Sequence, residues 1–229
     1  NTTAYLVDRW ETRMGTSTGS TAVRSTTAPA GFTNSVLLTI GTGATPSANT
    51  GSNYFNQKIE GFNVADLGWG TANAQTVTLS FWVRSSLTGN FGVCVTNDAI
   101  NPSYPTSYTI SAANTWEYKT ITVPGPTSGT FATNNTGSVR IMFDWGSGSD
   151  FKGPANTWAN SDFRGGASGT TNICATSGAT WFITGVQLEK GQTATSFDVL
   201  DYGTELALCQ RYCIVYGSSG IYETYGYGN

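Results

Sequence analysis

The residues that could do chemistry are few, and what is missing narrows the field first. The 229-residue chain contains no histidine. A serine or cysteine nucleophile therefore lacks its usual base. Four cysteines (Cys94, Cys174, Cys209 and Cys213) match no zinc spacing. Thiolates without histidine or a CxxC pair make poor metal sites. Cys209 and Cys213 sit four apart, so on a helix they share one side, as a buried apolar stripe or an unusual redox pair. Cys94 alternates with Val93 and Val95 and reads as a sheet residue with nothing beside it to lower its pKa. The 14 Asp and Glu residues leave room for a glycosidase-type carboxylate pair. No pair, however, lies in an apolar setting that would split two pKa values. Asp144 and Asp150 flank Trp-Gly-Ser-Gly-Ser, where acids form turns. The expectation is a protein with no catalytic residues and no cofactor.

What remains is the chemistry of surfaces. In the stretch 75–84, Val77, Leu79, Phe81 and Val83 alternate with Thr76, Thr78, Ser80, Trp82 and Arg84. The first set reads as core and the second as an outward face, because successive strand residues point to opposite sides. By the same parity Val139, Ile141 and Phe143 point inward, leaving Arg140, Met142 and Asp144 outside. Phe55 and Ile59 point inward, leaving Tyr54, Asn56, Lys58 and Glu60 outside. If these strands are neighbours, Trp82, Arg84, Lys58, Glu60, Arg140 and Asp144 form one face suited to sugars. Sugar C–H surfaces stack on aromatic rings, and hydroxyls need paired donors and acceptors. The same composition also fits subunit packing, where Trp and Arg are favoured anchors, or a plain solvated sheet. Trp69 and Trp158, in glycine-rich surroundings, read as loop plugs or as ligand platforms.

The elements that must position these residues are strands. Runs at 4–14, 35–40, 54–60, 75–84, 91–97, 107–110, 115–123, 138–145 and 181–189 alternate between breaks rich in Gly, Ser, Thr, Asn and Pro. About nine strands without a crossover helix predict an all-β fold, a jelly-roll-like antiparallel β-sandwich over residues 1–200. Val186, Leu188 and Phe182 join the expected core. One short helix is expected at 203–213, with Leu206, Cys209 and Cys213 on its apolar side beside Leu208. It opens a segment, 201–229, whose tyrosine- and glycine-rich tail serves assembly or begins a further domain. Eleven residues make a marginal helix that needs tertiary or intersubunit packing. The long irregular stretch 146–179 reads as a functional or interface loop. Charged residues are 11% and aromatics 13%, with net charge −3. Nothing in that balance points to nucleic acid, and no apolar run approaches the roughly 20 residues of a membrane span.

Several strings carry a resemblance. The sequence from Trp181 to Gly191 (WFITGVQLEKG), followed by Phe197 to Tyr212 (FDVLDYGTELALCQRY), resembles the closing signature of a module common in tail-fibre and other structural proteins of marine and cyanobacterial phages. Tyr5–Trp10, Gln57–Gly61, Leu79–Ser85, Ser107–Ile110 and Asn114–Pro124 resemble its earlier strands. Cys213 departs from it, since relatives commonly carry an aromatic there. The resemblance implies a β-sandwich similar to carbohydrate-binding modules, exposed on a virion as tail fibre or capsid exterior. It implies other virion proteins as partners, and possible attachment to host-surface glycan through Trp82, Arg84, Lys58, Glu60, Arg140, Asp144 and Trp158. The other role it allows is capsid decoration or fibre connection, with the sandwich serving assembly only. It also implies a homotrimer, with Leu206, Cys209, Cys213 and Tyr222 near the contacts. A structural calcium ion belongs to such folds, held by loop oxygens.

Overall fold

The computed structural model describes residues 2–7, 9–15, 19–49, 53–210, 214–216 and 223–225. Its contacts divide the chain into two units, Asn1–Thr195 and Ser196–Asn229.

In the first unit the strands are β1 (Thr2–Val7), β2 (Trp10–Met14), β3 (Thr21–Ser25), β4 (Ser35–Thr39), β5 (Tyr54–Glu60) and β6 (Val77–Ser85). β7 (Gly89–Asn97), β8 (Ser103–Ile110), β9 (Glu117–Val123), β10 (Gly137–Asp144) and β11 (Thr180–Lys190) follow. They form a six-stranded sheet in the order β1-β2-β5-β10-β7-β8 and a five-stranded sheet in the order β3-β4-β11-β6-β9. Every pairing is antiparallel. This is the expected jelly-roll-like sandwich. The run 4–14 is a hairpin rather than one strand, turned at Arg9, whose φ is 58°. The sequence pattern also missed β3, an edge strand with little apolar alternation to announce it.

Strand parity sets the core. Val77, Leu79, Phe81 and Val83 from one sheet meet Phe55, Val139, Ile141 and Phe143 from the other, all buried. Fully burying such side chains stabilises by roughly 1.5–3 kcal/mol each. Aromatic contacts lock the layers: Phe81 meets Tyr108 and Phe143 edge-on, both at 5.0 Å between ring centroids. Trp10 stacks on Phe55 at 4.4 Å. Trp181 Nε1 reaches across this core to donate to the Tyr108 hydroxyl at 3.0 Å.

On β11 the expected parity fails at its start. Trp181 and Ile183 face the core, while Phe182 is buried on the outer side. The cause is a bulge: Thr184 pairs with Trp82, but the next pair is Gln187 with Ser80, so β11 carries one extra residue. A single inserted residue exchanges the two faces of a strand. Gly185 makes the bulge, with φ 59° and the Phe32 ring against it. Beyond it Leu188 faces inward opposite Leu79, and Val186 and Leu188 are half-buried against the core.

The stretch 146–179 is laid on the six-stranded sheet. Ser103 on β8, an edge strand, forms a bridge with Ala159. Asn156 N–H donates to the Pro105 carbonyl and Ala167 N–H to that of Thr106. The loop thereby covers an edge that would otherwise offer unpaired backbone groups. In the second unit the helix α1 runs Tyr202–Gln210, and β12 (Ile214–Tyr216) pairs with β13 (Glu223–Tyr225). Leu206 and Cys209, three positions apart, share a side as expected, but Leu208 lies about 200° from Leu206, and both leucines are exposed. Cys209 is half-buried, whereas Cys213 and Tyr222 lie outside the described residues.

Candidate ligand-binding face

The predicted binding residues do not share a face. β5 and β10 are neighbours, so Lys58 lies beside Arg140 on the outside of the six-stranded sheet. β6 belongs to the other sheet, which carries Trp82 and Arg84 to the opposite side of the molecule. Pairing between distant strands decides this, and strand parity alone does not contain it.

On the six-stranded sheet the charges are spent internally. Arg140 Nε and Nη2 each lie 2.8 Å from Asp98 Oδ1, with Lys58 Nζ 3.6 Å from the same oxygen. Glu60 is half-buried at the end of β5. Asp144 is a bolt and not a surface acid. Its side chain is 0% exposed, and Oδ2 lies 3.0 Å from Lys152 Nζ, whose side chain is 10% exposed. Asp144 Oδ1 accepts the Ser147 N–H at 2.7 Å, and Lys152 Nζ also donates to Thr170 Oγ1 at 2.6 Å. Beside it Tyr54, Cys94 and Met142 form a small buried cluster on this outer side. Burial pushes the Cys94 thiol well above its ordinary value. Arg164 clasps Asp162, which raises its pKa, and lies over the Phe151 ring.

Trp158 is mainly a plug. Its indole N–H donates to the Pro124 carbonyl at 2.7 Å, and its ring meets Trp69 at 5.7 Å and Tyr104 at 5.4 Å. Trp69 is likewise committed, donating to the Gln75 carbonyl at 2.7 Å. Trp158 also lines a shallow pocket of about 220 Å³ with Pro102, Pro126, Thr127, Ser128 and Asn160. That is below the size usual for ligand pockets.

The five-stranded sheet presents a different outer face. Its register places Thr184, Trp82 and Tyr118 in one row across β11, β6 and β9. In the next row Phe182 stands beside Arg84 on β11, and Trp116 precedes Glu117 at the matching position on the other side. Trp82 and Tyr118 lie 5.4 Å apart at 48°, with Tyr118 43% exposed. Trp116 meets Phe182 edge-on at 6.0 Å. Toward the other end of the sheet the rows are small and polar: Gln187, Ser80 and Thr120, then Glu189, Thr78 and Thr122. Thr78 and Ser80 are buried despite facing outward. Thr78 donates to the Gly191 carbonyl at 2.9 Å, and Thr195 beyond it is held by Glu189.

Two features set this face apart. The indole N–H groups of Trp82 and Trp116 have no protein acceptor among the described residues, although both rings are half-buried. Arg84 donates through Nε to the Asn114 carbonyl at 2.9 Å, and its guanidinium carbon sits 5.0 Å from the Phe182 centroid. Aromatic area with unspent donors is what a ring-bearing, hydroxyl-rich ligand needs. The sequence reading missed Trp116, Tyr118, Phe182 and Thr184. The alternation of Trp116, Tyr118, Thr120 and Thr122 with Glu117, Lys119, Ile121 and Val123 was a usable signal for the first two.

Calcium takes six to eight oxygens with several carboxylates. Among the described residues no group of three or more His, Cys, Asp or Glu side chains gathers to hold a metal. The acid expected beside the 145–149 turn, Asp144, is already met by an ammonium.

No protein-family model and no curated protein matches the chain. Its backbone is similar to that of a CBM4 module at TM-score 0.46 and 18% identity, covering 82% of this chain and 90% of that one. It is similar to the CBM22-1 xylan-binding domain of Paenibacillus barcinonensis Xyn10C at TM-score 0.42 and 8% identity, covering 83% and 91%. It is also similar to the enzymatically active domain of bacteriophage CBA120 tailspike protein 4 at TM-score 0.45 and 13% identity, covering 80% of this chain and 19% of that one. The chain thus spans about a fifth of that tailspike's length.

Proposed function

We propose that this chain is a non-catalytic glycan-attachment module, carried on the outside of a phage virion as part of a tail fibre or appendage. The observation that carries the binding role is the ladder of Trp82, Tyr118 and Trp116 on the five-stranded sheet, with two indole N–H groups unspent. Rigid aromatic rings supply contact area at low cost in side-chain entropy. The resemblance of the closing strand and helix to phage structural modules supports the virion setting. The absence of catalysis is argued from the acid beside the ladder. Glu117 Oε1 accepts the Ser111 and Ala112 N–H groups at 2.8 and 2.9 Å, and Oε2 pairs with Lys119 at 2.6 Å. An acid so engaged is not poised to move protons.

The test is a glycan array of bacterial surface polysaccharides probed with the full chain, followed by titration of intrinsic fluorescence. The expected result is binding that quenches tryptophan and is lost in Trp82→Ala. Binding that survives Trp82→Ala and Tyr118→Ala together would remove this face from the proposal, and no binding to any glycan would end it.

A second reading, assembly as a capsid decoration or fibre-connecting subunit, has its own observation. Phe197, Val199, Leu200, Tyr202, Leu206 and Leu208 are all exposed within twelve residues. Exposed apolar patches mark interaction sites. On this reading a second and third copy of the chain cover them, giving a trimer. Light scattering of the chain and of Leu206→Asp decides it: a monomer at micromolar concentration refutes the trimer.

A further inference from the structure

We infer that the glycan read by the five-stranded face carries a carboxylate, and that Arg84 is the residue that reads it. This rests on the glycan-binding proposal and specifies its ligand class.

The argument begins with how the chain spends its cations. Lys58, Lys119, Arg140, Lys152, Arg164 and Lys190 each face a carboxylate of their own chain. Arg13, Arg24 and Arg84 face none among the described residues; Arg24 is exposed and Arg13 leans on the Tyr54 hydroxyl of the other sheet, whereas Arg84 is half-buried and held in place on this face. Its Nε is fixed on the Asn114 carbonyl, and its plane lies over Phe182. That leaves the two terminal amino groups without a hydrogen-bond partner among the described residues. An arginine anchored at Nε and stacked on a ring has already lost much of its freedom, so little more is lost when its fork closes on a ligand.

The setting selects the ligand. A guanidinium end presents two parallel N–H donors, the match for a planar carboxylate. Trp82 stands two residues along the same strand, about 7 Å away. A sugar ring stacked on Trp82 and Tyr118 can therefore place a ring carboxylate toward Arg84. The acids of β9 and β11, Glu117 and Glu189, do not compete. Glu117 turns to the Ser111 and Ala112 amides and to Lys119. Glu189 is opposite Thr78, six residues from Arg84 and so about 20 Å along the strand. That is beyond the roughly 8 Å screening length at physiological salt. The chain's net charge of −3 therefore does not decide the field at this face.

The experiment compares uronate oligosaccharides with the same oligosaccharides after carboxyl reduction, using the full chain and calorimetry. The parent should bind the uronate form about 10- to 100-fold more tightly, the range of a charge-assisted hydrogen-bond pair. Arg84→Gln should abolish the preference, bringing uronate affinity down to that of the reduced form for the same variant. Arg84→Lys, which keeps the charge and loses the fork, should fall between. Trp82→Ala should weaken both forms alike. Equal affinity of the parent for both forms, or an Arg84→Gln that keeps the preference, overturns the inference while the glycan proposal stands. Binding of neither form, with neutral glycans on the array binding through Trp82, also overturns it. Binding of no glycan at all overturns both. Circular dichroism of the Arg84 variants separates lost binding from lost fold, and Arg84→Lys carries the test if Arg84→Gln unfolds.

Discussion

Replacing Lys152 with methionine should destabilise the sandwich far more than the loss of a surface lysine would. The ammonium lies 3.0 Å from a carboxylate that is 0% exposed. At an effective dielectric near 20 that attraction is about 5–6 kcal/mol before desolvation is set against it. Methionine keeps the apolar stem and removes only the charge, leaving Asp144 buried with the Ser147 amide as its hydrogen-bond donor. Stranding one member of a buried pair costs about 3–5 kcal/mol. For a chain of this size that lowers Tm by roughly 6–20 °C. Urea unfolding followed by tryptophan fluorescence measures the loss. Proteolysis within 146–179 should accelerate, since the pair joins β10 to that loop. The double variant Asp144→Asn/Lys152→Met should recover most of the stability, because it removes the uncompensated charge along with its partner. A Lys152→Met protein within about 1 kcal/mol of the parent, the value of an exposed pair, would refute the reasoning. So would a double variant less stable than the single one.

Phe81→Ala should cost about 3–5 kcal/mol in denaturant unfolding, from lost burial and the cavity between Tyr108 and Phe143. Gly185→Ala should cost at least about 1–2 kcal/mol for the left-handed backbone alone; a Cβ there would also lie 2.6 Å from Phe32 Cζ, so a neutral result would remove the bulge argument. Glu117 gives a pH dependence of known sign. Burial raises its pKa, but hydrogen bonds from Lys119 and the Ala112 and Ser111 amides, with the Lys119 charge, outweigh that and hold it below the ordinary 4.5. Its contribution is therefore present above the unfolded pKa and lost as pH falls through the lower folded one. Glu117→Gln should accordingly flatten the acid limb of stability as pH falls through and below the ordinary carboxylate range, with an unchanged limb counting against it.

Local parity was legible and long-range pairing was not. The alternation of Val77, Leu79, Phe81 and Val83 against Trp82 and Arg84 is a property of one strand, and it holds. Whether β6 lies beside β10 or across the core from it depends on which strand each one bonds, and no spacing records that choice. Phe182 shows the sharpest failure: parity counted back from Leu188 is off by one because Gly185 inserts a residue. A glycine inside a strand pattern marks such bulges, so the warning was present. The spacing of the helix's apolar residues was visible too, because the angle between two helical positions does not depend on where the helix ends. With α1 at Tyr202–Gln210, Leu206 and Leu208 point apart.

The two outer faces are used in opposite ways, and this asymmetry gives the proposed function its physical basis. On the six-stranded sheet Lys58 and Arg140 meet Asp98, and Asp144 meets Lys152. The 146–179 loop lies over the Gly92 region, where Gly166 approaches the Val93 and Thr106 backbone too closely for any larger residue. The charged groups named there are engaged in holding the chain to itself, although Arg13 Nε and Asn56 Oδ1 stay buried without a hydrogen-bond partner among the described residues. On the five-stranded sheet the long side chains Trp82, Tyr118 and Trp116 stand on the outer side, and Thr120 and Thr122 are exposed beside them. A half-exposed aromatic row forgoes part of the burial that the fold could have used, since each ring has about 150–250 Å² to bury. A sandwich whose cohesion already rests on Phe81, Phe143, Trp145 and Trp181 does not need that row for stability. Its arrangement around an arginine that is anchored at Nε and meets no carboxylate among the described residues is what the proposed ligand, with both a ring and a charge, would use.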